Sequence, residues 1–167
     1  MPERETMRRA QRDKRQGKSP STQAGEFVRE EIEHVREGKH GARSTKQAIA
    51  IGLSKARRAG VDLPPPKKGT TSERTRTGAK RAYAAGHGTS KPVSRTRSRA
   101  ASAALKREGH ESASRTALGK QAKTAARRRT AAERSESARE AARTKGPAER
   151  SAAARKAART RARHKAR

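Results

Sequence analysis

The chain has 167 residues, and its 45 Lys and Arg against 16 Asp and Glu give a formal net charge of +29, with one Phe and one Tyr as the only aromatics. Low hydrophobicity at such a charge cannot offset chain entropy by burial, so local helices with little tertiary packing are expected. The absence of cysteine excludes disulfides and thiolate metal sites. No apolar run approaches the roughly 18 residues of a membrane span, and the start MPERETMRRAQRDKR lacks the apolar stretch of a signal peptide. A soluble cytoplasmic protein with no membrane partner is therefore the expectation.

Residues 1 to 20 read as a charged leader, with one weak helix from Glu3 to Gln16 stopped by Gly17 and Pro20. Met7 and Ala10 are its only apolar positions, too few to dock on anything. Residues 21 to 63 hold most of the bulky apolar side chains. In STQAGEFVREEIEHVREG, Val28, Ile32 and Val35 recur at helical spacing, Ala24 and Phe27 extend the stripe, and Gly38 ends it. The acidic cluster of Glu30, Glu31, Glu33 and Glu37 reads as a solvated face.

A second helix, STKQAIAIGLSKARRAG, opens with Ser44 and Gln47 at capping-box spacing and closes before Gly60. Ile49, Leu53 and Ala56 line one side, with Ala48 and Gly52 beside them. Glycine within a helix costs about 1 kcal/mol against alanine, which makes sense where it allows close approach of a neighbour. The short KHGAR connection predicts an antiparallel helical hairpin packed through Phe27, Val28, Ile32, Val35, Ile49 and Leu53.

VDLPPP then imposes an extended stretch. Residues 64 to 94, rich in Pro, Gly, Ser and Thr, read as a flexible basic linker with Tyr83 alone in it. From residue 95 to 167 the composition shifts to Ala, Arg, Lys and Ser, and helices are expected at about 95–107, 112–145 and 147–165. The octets AKTAARRR, AREAARTK and ARKAARTR recur every 16 residues, and the segments 131–146 and 147–162 agree at ten of sixteen positions. This is a degenerate internal repeat. The fold class expected is mainly α and partly disordered: a small hairpin plus extended basic helices without a common core.

Enzyme chemistry has no foothold in these residues. His34, His40, His87, His110 and His164 are scattered without a metal-binding motif, no serine lies in a nucleophile-elbow or phosphate-loop context, and neither metal nor cofactor is expected. Residues 91–167 carry 24 Lys and Arg against six Glu. Asn is absent from the chain and aromatics from this half, so the usual adenine reader and base-stacking platforms are missing. What remains is contact with the phosphate backbone, whose favourable free energy comes from counterion release. The candidate phosphate contacts are Arg127, Arg128, Arg129, Arg139, Arg143, Arg155, Lys156, Arg159, Arg161 and Arg163.

Residues 25 to 60, with the KQAIAIGLS run at Lys46 to Ser54, resemble a family of small basic bacterial proteins of uncharacterised function. The Ala, Lys and Arg-rich tail resembles the tails of bacterial linker-histone-like proteins, a resemblance that implies DNA binding and condensation in the nucleoid. The expected function is nonspecific nucleic-acid binding and compaction, most of all of double-stranded DNA. Two alternatives stay open: an adaptor whose hairpin binds a protein partner or itself, and an RNA or ribosome-binding protein.

Overall fold

The computed structural model describes residues 2–88, 94–144 and 146–165. Among them every regular element is helical: α1 (Arg4–Arg15), α2 (Pro20–Arg36), α3 (Thr45–Arg58), α4 (Glu73–His87), α5 (Arg95–Lys106), a 3-10 turn (Glu111–Ala113), α6 (Arg115–Arg128), α7 (Ala131–Thr144) and α8 (Pro147–Lys165). The chain divides into two compact units, residues 1–121 and 122–167.

In the first unit, local signals set the helix ends. Gly17 and Gly60 take left-handed φ values of 68° and 82°, which suit glycine because it has no Cβ to clash. After α3, the Gly60 N–H reaches the Arg57 carbonyl and the Val61 N–H reaches that of Ala56, satisfying carbonyls that a helix end leaves open. At the start of α3, Ser44 Oγ accepts the Gln47 N–H at 3.2 Å, while Gln47 Oε1 turns back to the N–H of Arg43. Arg57 is buried and donates to the carbonyls of Leu63 and Pro64, fastening the extended VDLPPP stretch onto α3. Desolvation holds its pKa below the usual guanidinium value.

α3 meets α2 through small residues. Its buried line is Ala48, Gly52 and Ala56, while Ile49 and Leu53 flank it half-buried, so the expected Ile49 and Leu53 side is the margin of the contact. A Cβ on Gly52 would lie 2.6 Å from Val28 Cα. The backbones themselves therefore touch, which is what the mid-helix glycine allows. Phe27 and Ala56 belong to one apolar cluster, with Ala10, Ala24 and Val61; Val35 and Ala48 belong to another, with Ile32, Ala42 and Ala113. Val28 packs half-buried against the second cluster and Leu53 against the first, whereas Ile49 belongs to neither.

Three expectations for the first unit need correction. The leader does dock: α1 buries Thr6 and Ala10 against α2, and Arg9 Nε pairs with Glu26 Oε2 at 2.6 Å. Its apolar contacts are Ala10 and the half-buried Met7 alone, set among Thr6 and charged side chains, too few to make an apolar period. The stretch expected as a flexible linker contains α4, capped by Ser72 accepting from the Thr75 N–H, with Ala79 and Ala82 buried. Gly86 of α4 sits so close to the Arg57 carbonyl that a side chain has no room. Tyr83 is not alone either, since its hydroxyl donates to Asp62 Oδ1 and its ring stacks on His87. Residues 89–93 of that stretch lie outside the described residues.

The acidic face of α2 is the third correction. Glu30 and Glu31 are 2% and 0% exposed. Burial pushes the Glu30 carboxyl up, but the Thr6 hydroxyl, the Glu3 N–H and the Lys55 ammonium together bring it below the usual carboxylate range. Lys55 Nζ lies 2.7 Å from Glu31 Oε2 and 3.3 Å from Glu30 Oε1. These partners come from α1 and α3, so nothing near α2 in sequence announces the burial.

Residues 105–113 also dock on this unit, through their carbonyls. Those of Leu105, Gly109, Ser112 and Ala113 accept respectively from Gly41 N–H, Ala42 N–H, Thr45 Oγ1 and Arg36 Nε.

In the second unit the expected 112–145 helix is broken. Thr130 and Glu133 form a reciprocal capping box: the Glu133 N–H donates to Thr130 Oγ1 at 3.2 Å, and Glu133 Oε2 accepts the Thr130 N–H at 2.7 Å. A new helix therefore begins at Ala131. The next begins at Pro147, at the first helical position, where a missing N–H costs nothing. Both 16-residue segments thus start a helix of their own. No described side chain in this unit is buried.

Candidate nucleic-acid interface

The ten candidate contacts all lie in the second unit, nine on three helices of different charge and Arg129 between two of them. Arg127 and Arg128 occupy the last turn of α6, where cations also complement the negative helix end. Arg129 lies at the joint, its guanidinium donating to Ser137 Oγ at 3.3 Å and its carbonyl accepting from Arg134 at 2.9 Å. Arg139 and Arg143 share one side of α7, yet that helix has three Arg and three Glu and no net charge. The arm is therefore basic at its ends and neutral between.

α8 holds the densest set. Over its 19 residues it has seven Lys and Arg against one Glu. Because α8 is continuous, Arg155, Arg159 and Arg163 at four-residue spacing fall along one side, with Lys156 beside them and Arg161 and Arg150 pointing elsewhere. The described side chains of this set are all exposed. Arg155 bends back to the Ser151 carbonyl at 3.5 Å, a contact too long to hold it. The structure joins these residues by helix continuity alone and gathers them into no pocket.

A further cationic row lies in the first unit. Arg4, Arg8, Arg12 and Arg15 are all exposed and recur along α1 at spacings of four, four and three. Among the described residues no carboxylate pairs with them. The spacing was present in the sequence, masked because every side of this helix carries charge. Several acids of this unit meanwhile pair with cations: Glu26 with Arg9, Asp13 with Lys18, and the buried Glu30 and Glu31 with Lys55. Among the described residues no helix is long and apolar enough to cross a membrane.

The class these features define is an all-helical, highly basic protein with an exposed cationic arm. Residues 13–68, from the end of α1 through α2 and α3 to the proline stretch, match a family described as a family of unknown function, DUF6496. The match covers the α2–α3 pair and is consistent with a family that is uncharacterised. No curated protein and no solved structure matches the chain.

Proposed function

We propose that the protein binds nucleic acid without marked sequence preference and compacts it, with double-stranded DNA as the main target and the nucleoid as its place in the cell. The observation that carries this reading is the second unit: 16 Lys and Arg against four Glu, with no described side chain buried. A segment with nothing to bury draws its binding free energy from phosphate neutralisation and counterion release. The basic row on α1 supplies a separate set of contacts, and two sets on one chain raise avidity and let duplex segments be bridged. The likeness of the tail to linker-histone-like tails points the same way. The pairing of α2 with α3 supports reading residues 21–63 as an antiparallel hairpin that serves as the anchor of the arm.

The test is a titration of the full chain against two unrelated DNA duplexes and a double-stranded RNA of equal length, at about 50 and 200 mM salt, the range over which phosphate-driven affinity collapses. Equal DNA affinities are expected, falling by about 10⁴ for some eight neutralised phosphates. Tighter RNA binding would move the protein to transcripts or ribosomes, and weak binding to all three would overturn the proposal. A second reading, an adaptor built on α2 and α3, is favoured by the family match ending at residue 68, before the arm begins. Removing residues 122–167 separates the two: an adaptor keeps its partner, whereas a DNA condenser loses compaction.

A further inference from the structure

Two buried carboxylates, Glu30 and Glu31, share the single ammonium of Lys55. Glu30 has further donors in Thr6 and the Glu3 N–H. Glu31 does not: its side chain is fully buried, and neither of its oxygens is reached in hydrogen-bond geometry, although Lys55 Nζ is 2.7 Å from Oε2 and His40 Nε2 is 3.3 Å from Oε1. An underpaired buried carboxylate costs several kcal/mol unless a cation completes it.

Besides the Lys55 ammonium at Oε2, Glu31 has two histidines near it, groups that bind metals. His34 lies one helical turn on, and His40 comes from the loop between α2 and α3. One ligand atom from each of Glu31, His34 and His40 falls within a sphere of mutual distances no greater than 4.8 Å. Ligands about 2.1 Å from a tetrahedral ion sit about 3.4 Å apart. The His40 to Glu31 distance of 3.3 Å already meets that requirement. Both rings are held from behind: His40 Nδ1 lies 3.0 Å from the Gly41 carbonyl, which fixes Nε2 towards Glu31, and His34 Nε2 lies 2.9 Å from Glu3 Oε1. Such backing orients metal-binding imidazoles.

We propose that Glu31, His34 and His40 form a binding site for one divalent transition ion, with zinc the best match to two imidazoles and one carboxylate. The ion replaces the missing donor at Glu31 and clips α2 to the α2–α3 loop, a staple suited to a fold with a small apolar core. The histidine side chains are 13% and 17% exposed, which leaves a way in from solvent. The sequence contained half of the signal, an E-x-x-H step at Glu31 and His34, hidden among neighbouring glutamates.

The experiment is calorimetric titration of the full, chelator-treated chain with zinc chloride, and a parallel cobalt titration read by visible absorption. One equivalent per chain is expected, with the cobalt spectrum of a four-coordinate ion and a higher melting temperature with zinc. His40→Gln and His34→Gln should each weaken zinc by more than about 100-fold, beyond the loss usual for outer partners alone. The control His87→Gln/His164→Gln should bind as the unaltered chain does. Glu31→Gln is read only if circular dichroism shows it folded; the two histidine variants, at partly exposed positions, carry the test otherwise. Absence of a stoichiometric event, or binding that survives both histidine changes, overturns the proposal, and loss in the control alone assigns the zinc elsewhere.

Discussion

The two units spend the same residue types in opposite ways. In residues 1–121, Ala24, Ala48, Ala56, Ala79, Ala82 and Ala113 are buried, and two carboxylates of α2 are drawn inside, Glu30 by Thr6 and Lys55 and Glu31 by Lys55. In residues 122–167, alanine is no less frequent, yet no described side chain is buried. Alanine serves as core where glycines such as Gly52 let backbones touch, and as plain helix former where no neighbour approaches. A basic, alanine-rich composition therefore does not decide between packed and unpacked; the placement of a few glycines, threonines and acids does.

The sharpest way to break this contrast is at the backbone contact. Gly52→Leu should cost about 3 kcal/mol or more by driving a side chain into Val28. Thermal melting followed by circular dichroism of the full chain should show the cooperative transition lost, with the helical signal of the second unit kept. At the opposite pole, the triple change Arg155→Gln, Arg159→Gln and Arg163→Gln should leave melting unchanged while reducing the log–log salt slope of duplex binding by about 2.7. An unchanged slope would remove α8 from the interface.

Acid sharpens the comparison further. The Glu30 carboxyl titrates below its ordinary value in the folded chain, while in the unfolded chain it titrates at about 4.3. Its ionised form thus contributes stability that is fully present above the unfolded value and is lost as pH falls through the lowered folded value. Melting temperatures of the unaltered chain and Glu30→Gln should differ near neutrality and converge as pH drops below about 4. The smallest effect is expected at Thr130→Ala, about 1 kcal/mol confined to the start of α7. Faster hydrogen exchange at the Glu133 amide, with no change in the first unit, would show it.

Much of the helical pattern was legible in the sequence. Gly38, Gly60, Ser44 and Pro147 mark boundaries by their own backbone chemistry, and the helices expected at 95–107 and 147–165 are α5 and α8 within two residues at each end. What stayed hidden depends on partners distant in sequence. α1 and α4 dock through Thr6, Ala10, Ala79 and Ala82, residues that set up no apolar period. Glu30 and Glu31 read as solvated because Thr6 and Lys55 stand more than twenty residues away. The break at Thr130 was missed although its T-x-x-E capping signal was present, because the helix-forming composition on both sides outweighed it. The ten arginines and lysines of the arm are candidates by charge density alone; that α7 is neutral follows only once the helix boundaries are fixed.

The neutrality of α7 gives the arm a rhythm. Fourteen helical residues span about 21 Å, so two cationic stretches are held apart by an electrically silent spacer of roughly six base-pair steps. On the proposed nucleic-acid reading, such an arm would grip a polyanion in two bites instead of one continuous embrace, each able to open while the other holds. Release would then proceed hand over hand, and a strongly charged chain could creep along its partner without ever leaving it.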